Sequence, residues 1–304
     1  MRNTIRAAVM GLATALTVAL AGPAMAGALE DVQAAYVRRD YAGAFRLILP
    51  LAEQGDVDAQ FNVGNMYLMG QGVANDNALA AQWYRKAAKQ GNAGAQSNLG
   101  NMYAVGLGVP KDDGQAVKWY RMAAERGNAP AQSNLAVSYV RGEGVEKDYG
   151  QAVKWFRMAA EQNYAIGQAG LGLRYANGEG VARDDVQAVK WFRLAAAQGY
   201  DVAQFNLGIA YAGGHGVPKD DTQAVKWFRL AAEQGNADAQ TNLGVAYTTG
   251  KGVREDPVLA FMWFTIAAAG GSTAASASRD LLAGVLTRAQ ITKADRLARD
   301  WKPK

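Results

Sequence analysis

The sequence predicts an all-α fold, a solenoid of stacked helical hairpins, and three observations carry that prediction. Trp83, Trp119, Trp155, Trp191, Trp227 and Trp263 stand 36 residues apart. Tyr67, Tyr103, Tyr139, Tyr175, Tyr211 and Tyr247 keep the same step, as do the glycine pairs that run from Gly70 and Gly72 to Gly250 and Gly252, with no insertion in six units. Within a unit the apolar residues recur at helical spacing, and glycines fall where the helices must stop.

The chain of 304 residues opens on an export pattern: Arg2 and Arg6, an uncharged apolar run from Ala7 to Ala21, and Ala24-Met25-Ala26 as a cleavage site. The apolar run is shorter than the ~20 residues a bilayer span needs. Residues 1–26 are therefore expected to be a signal peptide cleaved after Ala26, which places the mature chain in the periplasm or outside the cell with no stable membrane anchor. No cysteine is present, so neither an acylated anchor nor a disulfide framework is available.

Residues 27–55 are expected to form a degenerate, capping half repeat, with Asp40 to Gly55 as its second helix and Leu47 in the tryptophan slot. Residues 56–271 hold the six full units. In the unit that begins at Ala95, Ala95, Leu99 and Tyr103 lie on one arc of a first helix, helix A, which Gly106 and Gly108 end. Asp112 suits the N-cap of helix B, whose apolar face is Ala116, Trp119, Tyr120, Ala123 and Ala124; Gly127 ends it and Asn128 caps the next helix A. One hairpin cannot bury its own apolar face, so units must stack, with Gly100, Ala123 and Ala124 as the small partners of the large rings. Residues 272–304 are expected to be C-terminal capping helices, with the polar stretch 286–303 closing the array.

The recurring pattern A-Q-x-N-L-G-x-x-Y-x-x-G-x-G-V-x-x-D, followed by A-x-x-W-[FY]-x-x-A-A-x-x-G, resembles the Sel1-like repeats, relatives of the tetratricopeptide family. The resemblance implies a right-handed superhelical α-solenoid, and an adaptor or regulatory protein that holds a protein or peptide partner in a concave groove lined by the A helices. A periplasmic sensor domain is one such partner. It implies no catalysis and no small-molecule cofactor. A second implied reading is a cell-envelope enzyme or muropeptide- or penicillin-binding protein, although the cysteines that staple those relatives are absent here.

Charge and motifs are consistent with a non-enzymatic reading. The formal charge is +5, reduced by two when Arg2 and Arg6 leave with the signal, and an exported protein of mild charge is not expected to meet nucleic acid. His215, the single histidine, occupies a loop slot filled elsewhere by Gln71, Leu107, Glu143, Glu179 and Lys251, so a solvated loop tip is expected rather than a catalytic or metal site. The pairs Asp112-Asp113, Asp184-Asp185 and Asp220-Asp221 recur where a helix begins, which points to capping rather than to acid/base chemistry. Gly244 to Lys251 has the wrong spacing for a phosphate loop. Lys118, Lys154, Lys190 and Lys226, with Arg121, Arg157, Arg193 and Arg229, form a basic stripe on the B helices, relieved by Glu125, Glu161 and Glu233; it is either a solvated outer face or a dock for an acidic polymer or protein patch.

The candidate partner-binding residues lie on helix A. Asparagine recurs at Asn62, Asn98, Asn134, Asn206 and Asn242, a poor choice for a helix interior. At ~100° per residue this slot falls near 300° from the core alanine, off the apolar arc. A ladder of carboxamides there would either grip an extended peptide or tie each unit to its neighbour. The positions four and seven residues further on vary from unit to unit, from Met66 to Ala246 and from Met69 to Thr249, which points to a partner-specific patch around Arg141, Arg174 and Asn177.

Overall fold

A computed structural model describes residues 23–303. The expected signal segment, residues 1–26, falls almost wholly outside the described residues. Among those described there are sixteen α-helices and no strand. After α1 (Pro23–Val37) and α2 (Tyr41–Glu53), six A–B pairs follow: α3 (Val57–Met69) with α4 (Asn77–Lys89), α5 (Ala93–Val105) with α6 (Asp113–Glu125), and α7 (Ala129–Arg141) with α8 (Tyr149–Glu161). The remaining pairs are α9 (Ala165–Asn177) with α10 (Asp185–Ala197), α11 (Asp201–Gly213) with α12 (Asp221–Glu233), and α13 (Ala237–Thr249) with α14 (Pro257–Ala269). The last helices are α15 (Thr273–Ala283) and α16 (Arg288–Asp300). The chain forms two compact units that divide between Met158 and Ala159, within α8.

The caps explain why each paired helix in the array has the same 13-residue length. Asp112 Oδ1 accepts the Gln115 amide at 2.9 Å, and Asp76, Asp184, Asp220 and Asp256 do the same for their B helices. The second aspartate of each acidic pair is the first helical residue, so the capping reading of those pairs holds. Asn128 caps α7 through the Ala131 amide at 2.9 Å. Gly106 ends α5 with φ 70°, as expected, but the second glycine has a further task. A Cβ on Gly108 (φ 68°) would collide with the Asn77 carbonyl at the start of the preceding B helix, so this residue is where two successive hairpins touch backbone to backbone.

Gly100 is a small partner of a large ring, as expected, and the ring is that of Tyr120, which a Cβ would approach to 2.6 Å. Gly64 faces Tyr84, Gly172 faces Phe192, Gly208 faces Phe228 and Gly244 faces Phe264 in the same way. The residue after the tryptophan is thus the ring that locks helix A to helix B. The tryptophans Trp83, Trp119, Trp155 and Trp263 are buried, whereas Trp191 and Trp227 are only half-buried.

In the first unit, Trp83 joins a core of Val32, Ile48, Leu51, Val63 and Met66, which draws α1 and α2 onto α3. The degenerate half repeat therefore packs as a real hairpin side, although Leu47 in its tryptophan slot is exposed. In the second unit, α16 begins with a Thr287–Gln290 capping box and packs on α14, with Ala294 fully buried and Trp301 edge-on to Trp263 at 6.0 Å. The polar closing helix expected over 286–303 is this element.

Two polar ladders tie hairpin to hairpin. Gln60, Gln96 and Gln132 in the first unit, and Gln168, Gln204 and Gln240 in the second, are buried. Each donates its Nε2 to a carbonyl in the last turn of the preceding B helix, from Ala52 to Ala232, at 2.9–3.5 Å. A second tie uses the repeat tyrosines, whose hydroxyls accept from arginines 18 residues earlier: Arg85 to Tyr103, Arg121 to Tyr139, Arg193 to Tyr211 and Arg229 to Tyr247, at 2.9–3.1 Å. Each such bond contributes about 1 kcal/mol net, and a lost partner inside the joint costs more.

Candidate partner-binding faces

The asparagine slot splits between the two units. In the first, Asn134 Nδ2 donates to Asn101 Oδ1 of the preceding hairpin at 2.9 Å, and Asn98, itself buried, hydrogen-bonds Tyr84. In the second, Asn206 and Asn242 donate to carbonyls of their own helices, Val202 at 2.7 Å and Asp238 at 2.9 Å. Asn62 is half-buried. The neighbour-tying alternative therefore describes Asn98 and Asn134, while Asn206 and Asn242 bond within their own helices.

The slot four residues on is corrected by the structure. Met66, Met102, Ser138, Arg174, Ala210 and Ala246 are all buried, at 0–8% exposure, despite their variety. The slot lies seven residues after the core alanine, about 340° round the helix and hence only ~20° from it. Arg174 accordingly does not present its guanidinium to an open groove: it is ion-paired to Glu179 Oε2 at 2.7 Å. Asn177 Nδ2 lies 3.4 Å from the same oxygen. Arg141, in the first unit, is exposed and pairs loosely with Glu143 at 3.8 Å. Arg141 and the Arg174–Asn177–Glu179 cluster thus belong to different units.

The varied slot seven residues beyond the asparagine does face outward: Val105, Arg141, Asn177, Gly213 and Thr249 are exposed. The slot three residues beyond the asparagine carries the clearest contrast. Asn65 and Asn101 accept the hydroxyls of Tyr84 and Tyr120 at 2.7 and 2.8 Å. Burial pushes both phenols well above the usual 10.0. In the second unit the ring is phenylalanine and the slot is Leu173, Ile209 and Val245, of which Ile209 and Val245 are 38% and 44% exposed. Ile166, two turns before Leu173 on α9, is 37% exposed. The pairing of Tyr with Asn and of Phe with an aliphatic residue, 19 positions apart, was the signal in the sequence.

On the B helices the basic stripe is exposed, but most of its heads are engaged. Arg121, expected to pair with Glu125, donates instead to Tyr139. Lys154, Lys190 and Lys226 lie 5.5–5.9 Å from the rings of the tryptophans that follow them. His215 is an exposed loop residue, 4.0 Å from Asp185. Asp185 is itself held below the usual carboxylate range by the two hydrogen bonds from Arg183, at 2.9 and 3.0 Å. Among the described residues no group of His, Cys, Asp or Glu is placed to hold a metal, and no helix is long and apolar enough to cross a membrane.

Hairpins joined by buried glutamines, with an outward A-helix face that changes character along the array, define a repeat-built scaffold. The Sel1 repeat family matches residues 57–92, 93–128, 129–164, 165–200, 201–236 and 237–272, and the chain belongs to this family, an all-α solenoid class. It is similar to a Sel1 repeat protein from Oxalobacter formigenes, with 36% identity over 79% of this chain and 96% of that one and a TM-score of 0.74. It is also similar to c5321, a protective antigen of uropathogenic Escherichia coli with an SLR fold, at 33% identity over 86% and 72% of the two chains and a TM-score of 0.39. The immunity protein Pa5087 of Pseudomonas aeruginosa matches at 20% identity over 69% and 80%, with a TM-score of 0.47. No protein of curated function matches. Sel1 repeats generally serve as scaffolds for protein interactions.

Proposed function

We propose that this chain is an exported adaptor, periplasmic or secreted, that holds a protein or peptide partner against the outward face of its A helices and performs no chemistry on it. The observation that carries the reading is the exposure of Ile166, Ile209 and Val245 on successive A helices of the second unit. Apolar side chains lose free energy by staying in water, about 25 cal/mol per Å2, and a row of them on rigid, capped helices is what a partner buries. Asn206 and Asn242 beside them leave amide oxygens for a partner's N–H groups. The export part rests on Arg2, Arg6 and the apolar run from Ala7 to Ala21.

A photoreactive residue placed at Ile209 or Asn177 of the full-length chain in the cell should capture one partner, and the same residue at Val186 on α10 should not. Capture from Val186 alone would move the binding face to the B helices. Fractionation of the same cells should find the processed chain outside the cytoplasm; a full-length chain retained in the cytoplasm would end the export part.

A further inference from the structure

The glutamine ladder has a second rung that is missing in two hairpins, and only one of these opens onto a cavity. Where it is complete, the residue at the end of the following B helix donates to the buried glutamine's oxygen: Gln90 to Gln60 at 2.9 Å, Gln198 to Gln168 at 2.8 Å and Gln234 to Gln204 at 2.8 Å. In the hairpin of α5 and α6 that donor slot is Arg126, and Gln96 Oε1 has no hydrogen-bond partner, sealed at 0% exposure. In the last hairpin the slot is Gly270. Gln240 is 2% exposed and spends its Nε2 on the Ala232 carbonyl at 3.1 Å, but its Oε1 accepts nothing from the described residues. Unlike Gln96, Gln240 lines a cavity of ≈ 600 Å3, whose walls are formed by Ile266, Ala269, Trp301 and Pro303 and whose rim carries Asp295 and Arg299.

The cavity therefore has the inner wall of an ordinary inter-hairpin joint, with the donor side chain missing and an indole added. Gln240 Oε1 is not sealed as Gln96 Oε1 is, and it stands as an acceptor for an occupant that brings an N–H into this space. In the completed joints that N–H is the primary amide of a glutamine. Trp301, Ile266 and Ala269 fit the methylenes and backbone that would carry it, while Asp295 and Arg299, one turn apart on α16, suit the N–H and C=O of a peptide unit. We infer that the cavity between α14 and α16 is a binding site for a primary carboxamide, supplied by a glutamine side chain of a partner peptide that completes the ladder at Gln240. This site is separate from the A-helix face proposed above, and neither depends on the other.

The test is calorimetric titration of the full chain with acetyl-Ala-Gln-Ala N-methylamide, with its glutamate counterpart and with free L-glutamine. The glutamine peptide should bind saturably, and the glutamate peptide at least tenfold more weakly, because a carboxylate facing Gln240 Oε1 offers no donor. Gly270→Gln, which rebuilds the internal donor at a position whose φ of −77° matches the −84° to −88° of Gln90, Gln198 and Gln234 within about ten degrees, should abolish binding and raise the unfolding midpoint. Ala269→Phe, at an exposed position on the cavity wall, should abolish binding without touching the ladder, and it decides the matter if Gly270→Gln does not fold. Equal binding of the two peptides, undiminished binding by folded variants, or no binding of any ligand would overturn the site. Free glutamine binding as tightly as the peptide would overturn the peptide as its source.

Discussion

The two units are built from the same hairpin, yet they spend their polar groups differently. In the first, Tyr84 and Tyr120 hand their hydroxyls to Asn65 and Asn101, and Asn98 and Asn134 tie one hairpin to the next. In the second, Phe192, Phe228 and Phe264 need no acceptor, the matching slots are aliphatic, and Ile209 and Val245 stand in water. The exchange already begins in the first unit, at Phe156 with Val137, so a repeat frame can turn the same outward face from structural glue in its early hairpins to an unsatisfied apolar surface in its later ones, by exchanging two residues 19 positions apart. The lesson is that binding capacity in such an array is read from what a face leaves unspent.

The largest way to probe this difference is through the tryptophans. Trp119→Ala, in a buried slot of the first unit, should cost roughly 3–5 kcal/mol, and Trp191→Ala, half-buried in the second, about half of that, read from urea midpoints at constant slope. Equal losses would mean that the second unit is packed as tightly as the first. Next comes the ring exchange. Phe228→Tyr should cost about 1–3 kcal/mol by burying a hydroxyl against Ile209, and Ile209→Asn added to it should recover most of the loss; Tyr120→Phe alone should cost about 1 kcal/mol. A double-mutant cycle without coupling would sever the Tyr–Asn pair from the stability of the first unit.

Alkaline pH separates the units more gently. Burial raises the phenols of Tyr84 and Tyr120 above 10.0, and Tyr200 is pushed up to about 12, chiefly by burial and then by Asp201. The unfolded chain releases these protons first, so the stability they contribute is intact below about pH 10 and is lost as pH climbs through the folded values. Tyr120→Phe and Tyr200→Phe should each flatten this decline in stability between about pH 10 and 12; a profile left unchanged by Tyr120→Phe would contradict the burial of that ring. The smallest effects belong to two arginines of the suspected patch. Arg174→Met puts the side chain of Met66 and Met102 into the same buried slot, so it should change stability by less than about 1 kcal/mol. Arg141→Ala, losing an exposed pair, should stay within about 0.5 kcal/mol.

Much of this was readable before any coordinates. Asp112, Asn128 and Gly106 act within three or four residues of themselves, and the 36-residue step of tryptophan and tyrosine places the hairpins. Other features were legible but passed over: a glutamine standing inside the apolar arc at Gln60, Gln96, Gln132, Gln168, Gln204 and Gln240 is a polar residue that must have a buried partner. Arg174 departs from expectation because variety between units does not imply exposure, and its angular position beside the core alanine argues burial. Arg121 misled because Glu125 is near in sequence, while the Tyr139 hydroxyl is near only once hairpins stack.

The amino-acid order alone determined the helices, their caps, the six-fold count and the family, because each depends on interactions inside one turn or one hairpin. Tertiary structure decided which slots face water, which asparagines are spent, and where the glutamine ladder lacks its donor. Those outcomes depend on the next hairpin's surface, some 30 residues further on, and at Gly270 on a side chain that is absent.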